Sequence, residues 1–352
     1  MILYRCSNDR TSIMRTNKIK PATLKDISRT LGVSISTVSH ALNNYSDISE
    51  ETRLKVIEAA RNLGYQLDVG AHGLRRQRSL LIGFAYVSPA KRANVFDQFV
   101  FEVFSGLKCF LGETEFDLMV ACFPTDRRES IIEITQRRKV EGIVVLGLRE
   151  TDPEIEKLLR LGIPTVFIDI PIVSSQCGFV SSDNIKGGYL AGKHLIELGH
   201  TDIAYISGEK GSWVSKEREL GLIKALSESN LEISASSPGY FLEEGGAQAT
   251  LKILEKKSNI TGIFYASDIM AMAGIKKLRA IGVKVPEDIS VIGFDDILAS
   301  RYTYPPLTTI RQEKWNIGYE AGRLVLDIIF GKQGEHRELD ITLIVRGTTQ
   351  RR

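Results

Sequence analysis

A chain of 352 residues with 43% hydrophobic and 25% charged side chains has enough apolar material for two or three self-supporting cores without disulfide or metal staples. No apolar run reaches the roughly 18 residues a membrane helix needs, and the polar, basic first 20 residues lack the apolar centre of a signal peptide, so a cytosolic protein is expected. The net charge of +3 is unevenly spread: residues 1–79 carry 13 Lys and Arg against 7 Asp and Glu, and the remainder carries 33 against 36.

A basic N-terminal unit on a mildly acidic body suits a polyanionic partner at one end only. The cysteines Cys6, Cys109, Cys122 and Cys177 form no paired motif, so reduced thiols are expected. Residues 1–21 show no apolar periodicity and read as a disordered tail, with Met14 a second plausible start.

Order is predicted from Thr23. Thr23 and Asp26 have capping-box spacing, and Leu24, Ile27 and Leu31 follow at helical intervals. Gly32 supplies the permissive backbone of a tight turn, and Ser34 can cap a second helix. Its inner face is Val38, Ala41 and Leu42; Ile35, Ser36, Ser39, His40 and Asn43 point outward. A third helix, beginning at Ser49, presents Val56, Ile57, Ala60 and Leu63 to the first two and stops near Gly64. Three short helices around one small core form a helix-turn-helix unit over 22–66, whose second helix would enter a DNA major groove. Residues 67–79 follow, a basic stretch with two glycines where an isolated helix is marginal and DNA could induce order.

From Leu80 short apolar runs alternate with amphipathic stretches. The runs LLIGFAYV, FDLMVA, GIVVLG and PTVFID are separated by helices predicted at 97–112, 127–139 and 153–161. A second series has helices at 184–199, 215–228, 244–257 and 267–281, with strands at IAYIS, near Tyr240, at TGIFYAS and at ISVIGFD. Such alternation predicts parallel sheets covered on both faces, in two doubly wound lobes. Ligands in such folds sit beyond the carboxyl ends of the strands, here in a cleft between lobes.

The N-terminal block resembles the LacI/GalR (lactose-repressor) family of bacterial transcription regulators. The resemblance rests on Thr23-Leu24-Lys25-Asp26-Ile27, Gly32-Val33-Ser34, Ser36-Thr37-Val38-Ser39, Leu42-Asn43 and Ser49-Glu50-Glu51-Thr52-Arg53. In the body it continues through Asp183-Asn184, Arg218, Ser267-Asp268, Val291-Ile292-Gly293-Phe294-Asp295 and Pro306-Leu307-Thr308-Thr309-Ile310, and it spans about residues 22–347. It implies an N-terminal all-α helix-turn-helix domain plus an α/β periplasmic-binding-protein-like domain of two doubly wound parallel-sheet lobes. The first lobe is expected at about 80–180 and 310–332, the second at about 181–309 and 333–352.

The family pattern implies a homodimer on a roughly palindromic double-stranded operator, controlled by a small molecule, with no membrane and no cofactor involved. DNA contacts carry over to Thr23, Ser34, Ile35, Ser36, Thr37, Ser39, His40 and Asn43. Leu74 takes the place of a leucine that wedges into the minor groove from a hinge helix. Ile35, Ser36 and His40 are the expected base readers. The expected effector residues are Phe99, Asp169, Arg218, Tyr240, Ser267, Asp268 and Asp295, with Trp213 as a further candidate for the cleft wall. The first-lobe wall, Asp97-Gln98-Phe99-Val100, departs from the family's usual Asn-Pro-Phe-Phe. A sugar or sugar derivative is the favoured effector, with a purine-type corepressor behind it.

Two rivals belong to other classes. An enzyme would need a chemistry-bearing motif, and the chain has no G-x-G-x-x-G after a strand, no G-x-x-x-x-G-K-[ST] and no G-x-S-x-G; its five histidines lack metal spacing. A solute-binding protein without a DNA role is what the body alone would suggest. The helix-turn-helix block argues against it.

Overall fold

A computed structural model describes residues 22–42, 45, 47–63, 65, 79–88, 98–124, 130–257 and 259–352. The expected positions Asn43 and Leu74, and the segment 67–78, lie outside the described residues. The chain divides into two compact units, 1–78 and 79–352.

In the first unit α1 is Leu24–Leu31, α2 is Ile35–Leu42 and α3 is Glu50–Asn62. The Asp26 carboxylate accepts from the Thr23 backbone N–H at 2.9 Å and from the Thr23 hydroxyl at 2.6 Å, closing the start of α1. Gly32 ends that helix with φ 67°, in the left-handed region. The core is Ile27, Val38, Ala41, Val56, Ala59 and Ala60. On α3 the buried stripe runs through Val56, Ala59 and Ala60, while Leu63 is exposed, so the inward face is turned from the one expected.

The second unit contains two six-stranded sheets. The first has the order β11-β5-β4-β3-β1-β2, from β1 (Leu81–Ser88), β2 (Asp117–Pro124), β3 (Gly142–Leu146), β4 (Thr165–Ile168), β5 (Cys177–Ser182) and β11 (His336–Leu339). The second has the order β12-β10-β9-β8-β6-β7, from β6 (Ile203–Ser207), β7 (Ala235–Pro238), β8 (Gly262–Tyr265), β9 (Ser290–Asp295), β10 (Thr308–Gln312) and β12 (Ile341–Ile344). All the pairings are parallel except β10 with β12. Helices cover both faces, and the strands are correspondingly apolar throughout: every residue of β1 after Leu81 is buried.

Strand pairing shifts the expected lobe boundaries. β10 lies beside β9, so the chain stays in the second lobe to Gln312, and β11 lies beside β5, so 336–339 belongs to the first. The crossings between lobes therefore follow Ser182, Gln312 and Leu339. The periodicity reading stopped at Asp295, before the helix that fills the first core, Lys314–Ile329. This helix packs on α4, Gln98–Leu111. The remaining helices are α5 (Ile131–Arg138), α6 (Pro153–Leu161), α7 (Asn184–Glu197), α8 (Trp213–Ser227), α9 (Glu243–Lys256) and α10 (Asp268–Ala280), making Lys314–Ile329 α11.

Glycine lets α4 and α11 meet backbone to backbone. A β-carbon on Gly318 would lie 1.8 Å from the Val103 carbonyl oxygen, and one on Gly106 would lie 1.8 Å from that of Trp315. Neither neighbour can yield without parting the helices. Gly318→Ala should therefore lower unfolding stability by about 1–3 kcal/mol or more, read as a fall in the urea midpoint. An unchanged midpoint would show that the helices separate freely.

Candidate functional site

In each sheet the strand order reverses beside the strand that opens the lobe: between β1 and β3 in the first, between β6 and β8 in the second. Loops leave the carboxyl ends of these strands in opposite directions and open a crevice. The two crevices face one cleft of about 530 Å³, reached by Ser88 and Gly147 from the first sheet and by Glu209 and Ser267 from the second.

The backbone at this cleft is held in an uncommon conformation. Asp169 follows β4 with φ 65°, Tyr240 and Phe241 follow β7 with φ 61° and 57°, and Asp295 ends β9 with φ 119°. Non-glycine residues rarely adopt these angles, and they persist only where surrounding structure over-determines them. Two consecutive left-handed residues redirect the β7 loop. The aromatic ring that reaches the cleft is therefore Phe241, packed on the open face of Gly208, where a β-carbon would meet the ring at 2.1 Å. Tyr240 is 46% exposed and does not line the cleft, a correction to the expected stacking residue.

Arg218 is buried on α8 and held from three sides. Its Nε donates to Asn184 Oδ1 at 2.8 Å, its Nη1 donates to the Ala266 carbonyl, and its guanidinium lies 3.7 Å from the centre of the Phe294 ring. Its Nη2 has no hydrogen-bond partner among the described residues. Around it, Asp169 Oδ1, Ser267 Oγ and Gln312 Oε1 are shielded polar atoms of cleft residues without a protein partner. Ser267 stands at the cap position of α10, yet its hydroxyl makes no cap bond. Asp295 Oδ1 accepts from Gln312 Nε2 at 2.7 Å.

Most of the remaining cleft wall is apolar, including Phe99, Trp213, Ile168 and Met272. Trp213 meets Phe179 edge-on, with ring centres 5.8 Å apart. Asp268, also expected in the cleft, is instead fully buried behind it. Its carboxylate accepts from the Ile297 N–H at 2.9 Å and from the Thr309 hydroxyl at 2.5 Å, which ties α10 to the turn after β9 and to β10 itself. Burial, then the nearby Asp295, push its carboxyl well above the usual range.

Several residues that periodicity did not single out join the two lobes. Arg149, after β3, pairs with Glu209, after β6. Lys216 approaches Glu150 at 3.7 Å, and Gln98 Oε1 accepts from the Ala299 N–H at 3.2 Å. Lys314, 3% exposed at the start of α11, donates from Nζ to the Asp295 carbonyl at 2.6 Å and to that of Asp296 at 3.1 Å. A lysine at the head of a helix carries no sequence signal for such a role; only the crossing of the chain after Gln312 brings it there.

In the first unit Thr23 and Ser34 serve the helices themselves. Ser34 Oγ accepts from the Thr37 N–H at 2.9 Å and lies 2.6 Å from the Ser36 hydroxyl, as a helix cap does. Ile35 and Ser36 are exposed at the start of α2, and Thr37, Ser39 and His40 are half-buried along it. His40 Nδ1 lies 2.7 Å from Asp47 Oδ2.

Burial pushes the Asp169 carboxyl up to about 6, against the attraction of Arg218 and with the repulsion of Asp295. A carboxyl that holds its proton more tightly when folded loses stability as pH rises from the unfolded value near 4 through about 6. Asp169→Asn removes that loss, so the variant should be more stable than the parent by about 1–3 kcal/mol at pH 8 and equal to it below about pH 4. Urea midpoints at the two pH values check this, and an offset independent of pH would refute it.

Residues 23–68 match the family model for bacterial regulatory proteins of the lacI family, and residues 193–349 match that of a periplasmic-binding-protein-like domain. The chain is 32% identical to the HTH-type transcriptional repressor PurR of Mannheimia succiniciproducens over 94% of its length and 99% of the relative's. The PurR of Pasteurella multocida is equally similar, at 32% over the same shares of both chains. Among solved structures, the lac repressor dimer bound to operator and the anti-inducer ONPF superposes with a TM-score of 0.80 at 28% identity, over 94% of this chain and all of that one. A complex of the transcriptional regulator CelR with cellobiose gives 0.70 at 29%, over 93% and 99%. A helix-turn-helix unit ahead of a two-lobed cleft, matched over nearly the whole length of such relatives, places the chain in the LacI family of bacterial regulatory proteins.

Proposed function

We propose that this chain is a repressor that binds operator DNA as a dimer and takes a purine-type base in its cleft as corepressor. The observation that carries the ligand class is the division of labour in the cleft. Arg218 lines the cleft together with a cluster of side chains that have shielded polar atoms without a protein partner, Asp169 Oδ1, Ser267 Oγ and Gln312 Oε1, while aromatic and aliphatic faces supply most of the remaining wall. A planar base presents apolar faces to Phe241 and Trp213 and one polar edge to that cluster. A sugar carries hydroxyls around its whole rim and would leave several against the apolar wall, at a cost for each one unpaired. The full-length likeness to repressors named PurR supports the same order.

The sugar, favoured from sequence alone, becomes the second reading; the similarity to a regulator holding cellobiose and to one holding ribose supports it.

The ligand would act by adding its contacts to the form in which Arg149 meets Glu209 and Gln98 meets Ala299 across the cleft. Stabilising that closed form selects one arrangement of the first lobes in the dimer and, through them, one arrangement of the DNA-reading units. Because the coupling is reciprocal, operator DNA must tighten ligand binding by the factor by which ligand tightens operator binding.

Adenine, guanine, hypoxanthine, xanthine, ribose and cellobiose can be compared by thermal shift and calorimetry on the full chain. One of the bases is expected to stabilise it, by about 2.7 kcal/mol at a hundred times its dissociation constant. Phe241→Ala should weaken that base about tenfold or more through loss of the stacking face. Stabilisation by ribose or cellobiose alone would reverse the order of the two readings, and a ligand that binds free and operator-bound protein equally would end the corepressor mechanism.

A further inference from the structure

The DNA-reading helix contains a side chain that another residue holds in place. His40 lies on α2 with two contacts on its ring. Nδ1 is 2.7 Å from Asp47 Oδ2, and the Tyr45 ring stacks on it with centres 4.6 Å apart and planes 28° apart. The stack restrains the tilt of the imidazole, and the carboxylate restrains its rotation within that plane.

The loop that carries both partners is itself anchored. The Tyr45 N–H donates to the His40 carbonyl at 3.1 Å. Arg53 on α3 donates through Nη2 to the Tyr45 carbonyl at 2.9 Å and to the Ile48 carbonyl at 3.4 Å. A line of contacts thus runs from α3 through Tyr45 to one ring on the reading helix.

We infer that Asp47 is a specificity-determining residue that acts through His40, holding its Nδ1 so that Nε2 alone faces the DNA bases. A carboxylate accepts, so Nδ1 must donate to it and carries a proton. That leaves Nε2 as the single ring atom for a base edge in the major groove. An imidazole free to flip would offer either nitrogen and would discriminate less between bases. Holding the ring before DNA arrives also removes the ordering cost from the binding step. A carboxylate beside DNA otherwise works against affinity, because it repels phosphates. Its direct bond to a reading residue is what offsets that disadvantage. This inference rests on the operator-binding reading.

The test uses the full-length chain. A site recovered by the wild-type protein from a randomised duplex pool is re-synthesised with each of the four base pairs at every position, and His40→Ala identifies the pair that His40 reads. Asp47→Ala should flatten the preference at that pair by about three- to tenfold, the range of one lost hydrogen bond, with preferences elsewhere unchanged. Asp47→Asn, whose amide oxygen still accepts from Nδ1, should restore most of it. In the His40→Ala background, Asp47→Ala should change the preference no further.

A purely electrostatic role predicts something different: Asp47→Ala would tighten every duplex by the same factor and leave the preference intact, and that result would overturn the inference. So would an unchanged preference with unchanged affinity. Failure of the wild-type protein to enrich any duplex would instead count against operator binding itself, and is read in the first step.

Discussion

The guanidinium of Arg218 stacked on the Phe294 ring is the contact around which the ligand-binding body is arranged. It joins α8 to Asn184 at the head of α7 and to Ala266 at the end of β8, so one side chain spans three elements of the second lobe. Its position depends in turn on glycine: a β-carbon on Gly188 would sit 1.9 Å from the Arg218 carbonyl oxygen, so α7 and α8 can come this close only without one. A buried cation costs free energy unless it is paired or bonded. Here Nε and Nη1 are bonded within the lobe, and the ring face takes the plane. Arg218 also lines the cleft, as does Asp169, whose carboxyl burial raises to about 6 against the attraction of Arg218.

Asp296, next to the cleft residue Asp295, is buried in a network of its own. Burial alone would raise its carboxyl, but bonds from Arg346 and Arg311 win and hold it below its usual value. With Lys314 donating to the carbonyls of Asp295 and Asp296, this network fixes a turn whose backbone is left-handed at both residues. Strain at Asp169, Phe241 and Asp295 thus coincides with polar and aromatic residues that line the cleft. Such a cleft is pre-organised, and a ligand that matches it loses little free energy in ordering its walls.

Membership of the LacI family joins these two units into one chain of events. Such a regulator acts on DNA in the cytoplasm and is not an enzyme, so the cleft has only to distinguish ligands and to change shape. The selective element at the other end is small. On α2 Ile35 and Ser36 are exposed and His40 is half-buried, with Asp47 and Tyr45 in contact with the His40 ring. A reading surface this short makes the exact disposition of each side chain matter.

What the sequence determined by itself was whatever repeats locally. The Thr23–Asp26 cap, the Val38 and Ala41 face of α2 and the alternation of apolar runs with amphipathic helices are local patterns of this kind, and they were legible down to element order as far as β9 except for β5, which that reading passed over. Arg218, Asp169, Ser267, Asp295 and Phe99 were marked by family pattern, and the structure brings them to one cleft. Only the tertiary structure decided the rest. Two left-handed residues after β7 exchange Tyr240 for Phe241, and no periodic signal reports such a turn. Asp268 is turned inward because Thr309 and Ile297, 41 and 29 residues away, complete its bonds. The lobe boundaries were set by which strand β10 and β11 pair with, a long-range choice that depends on where a whole sheet already lies.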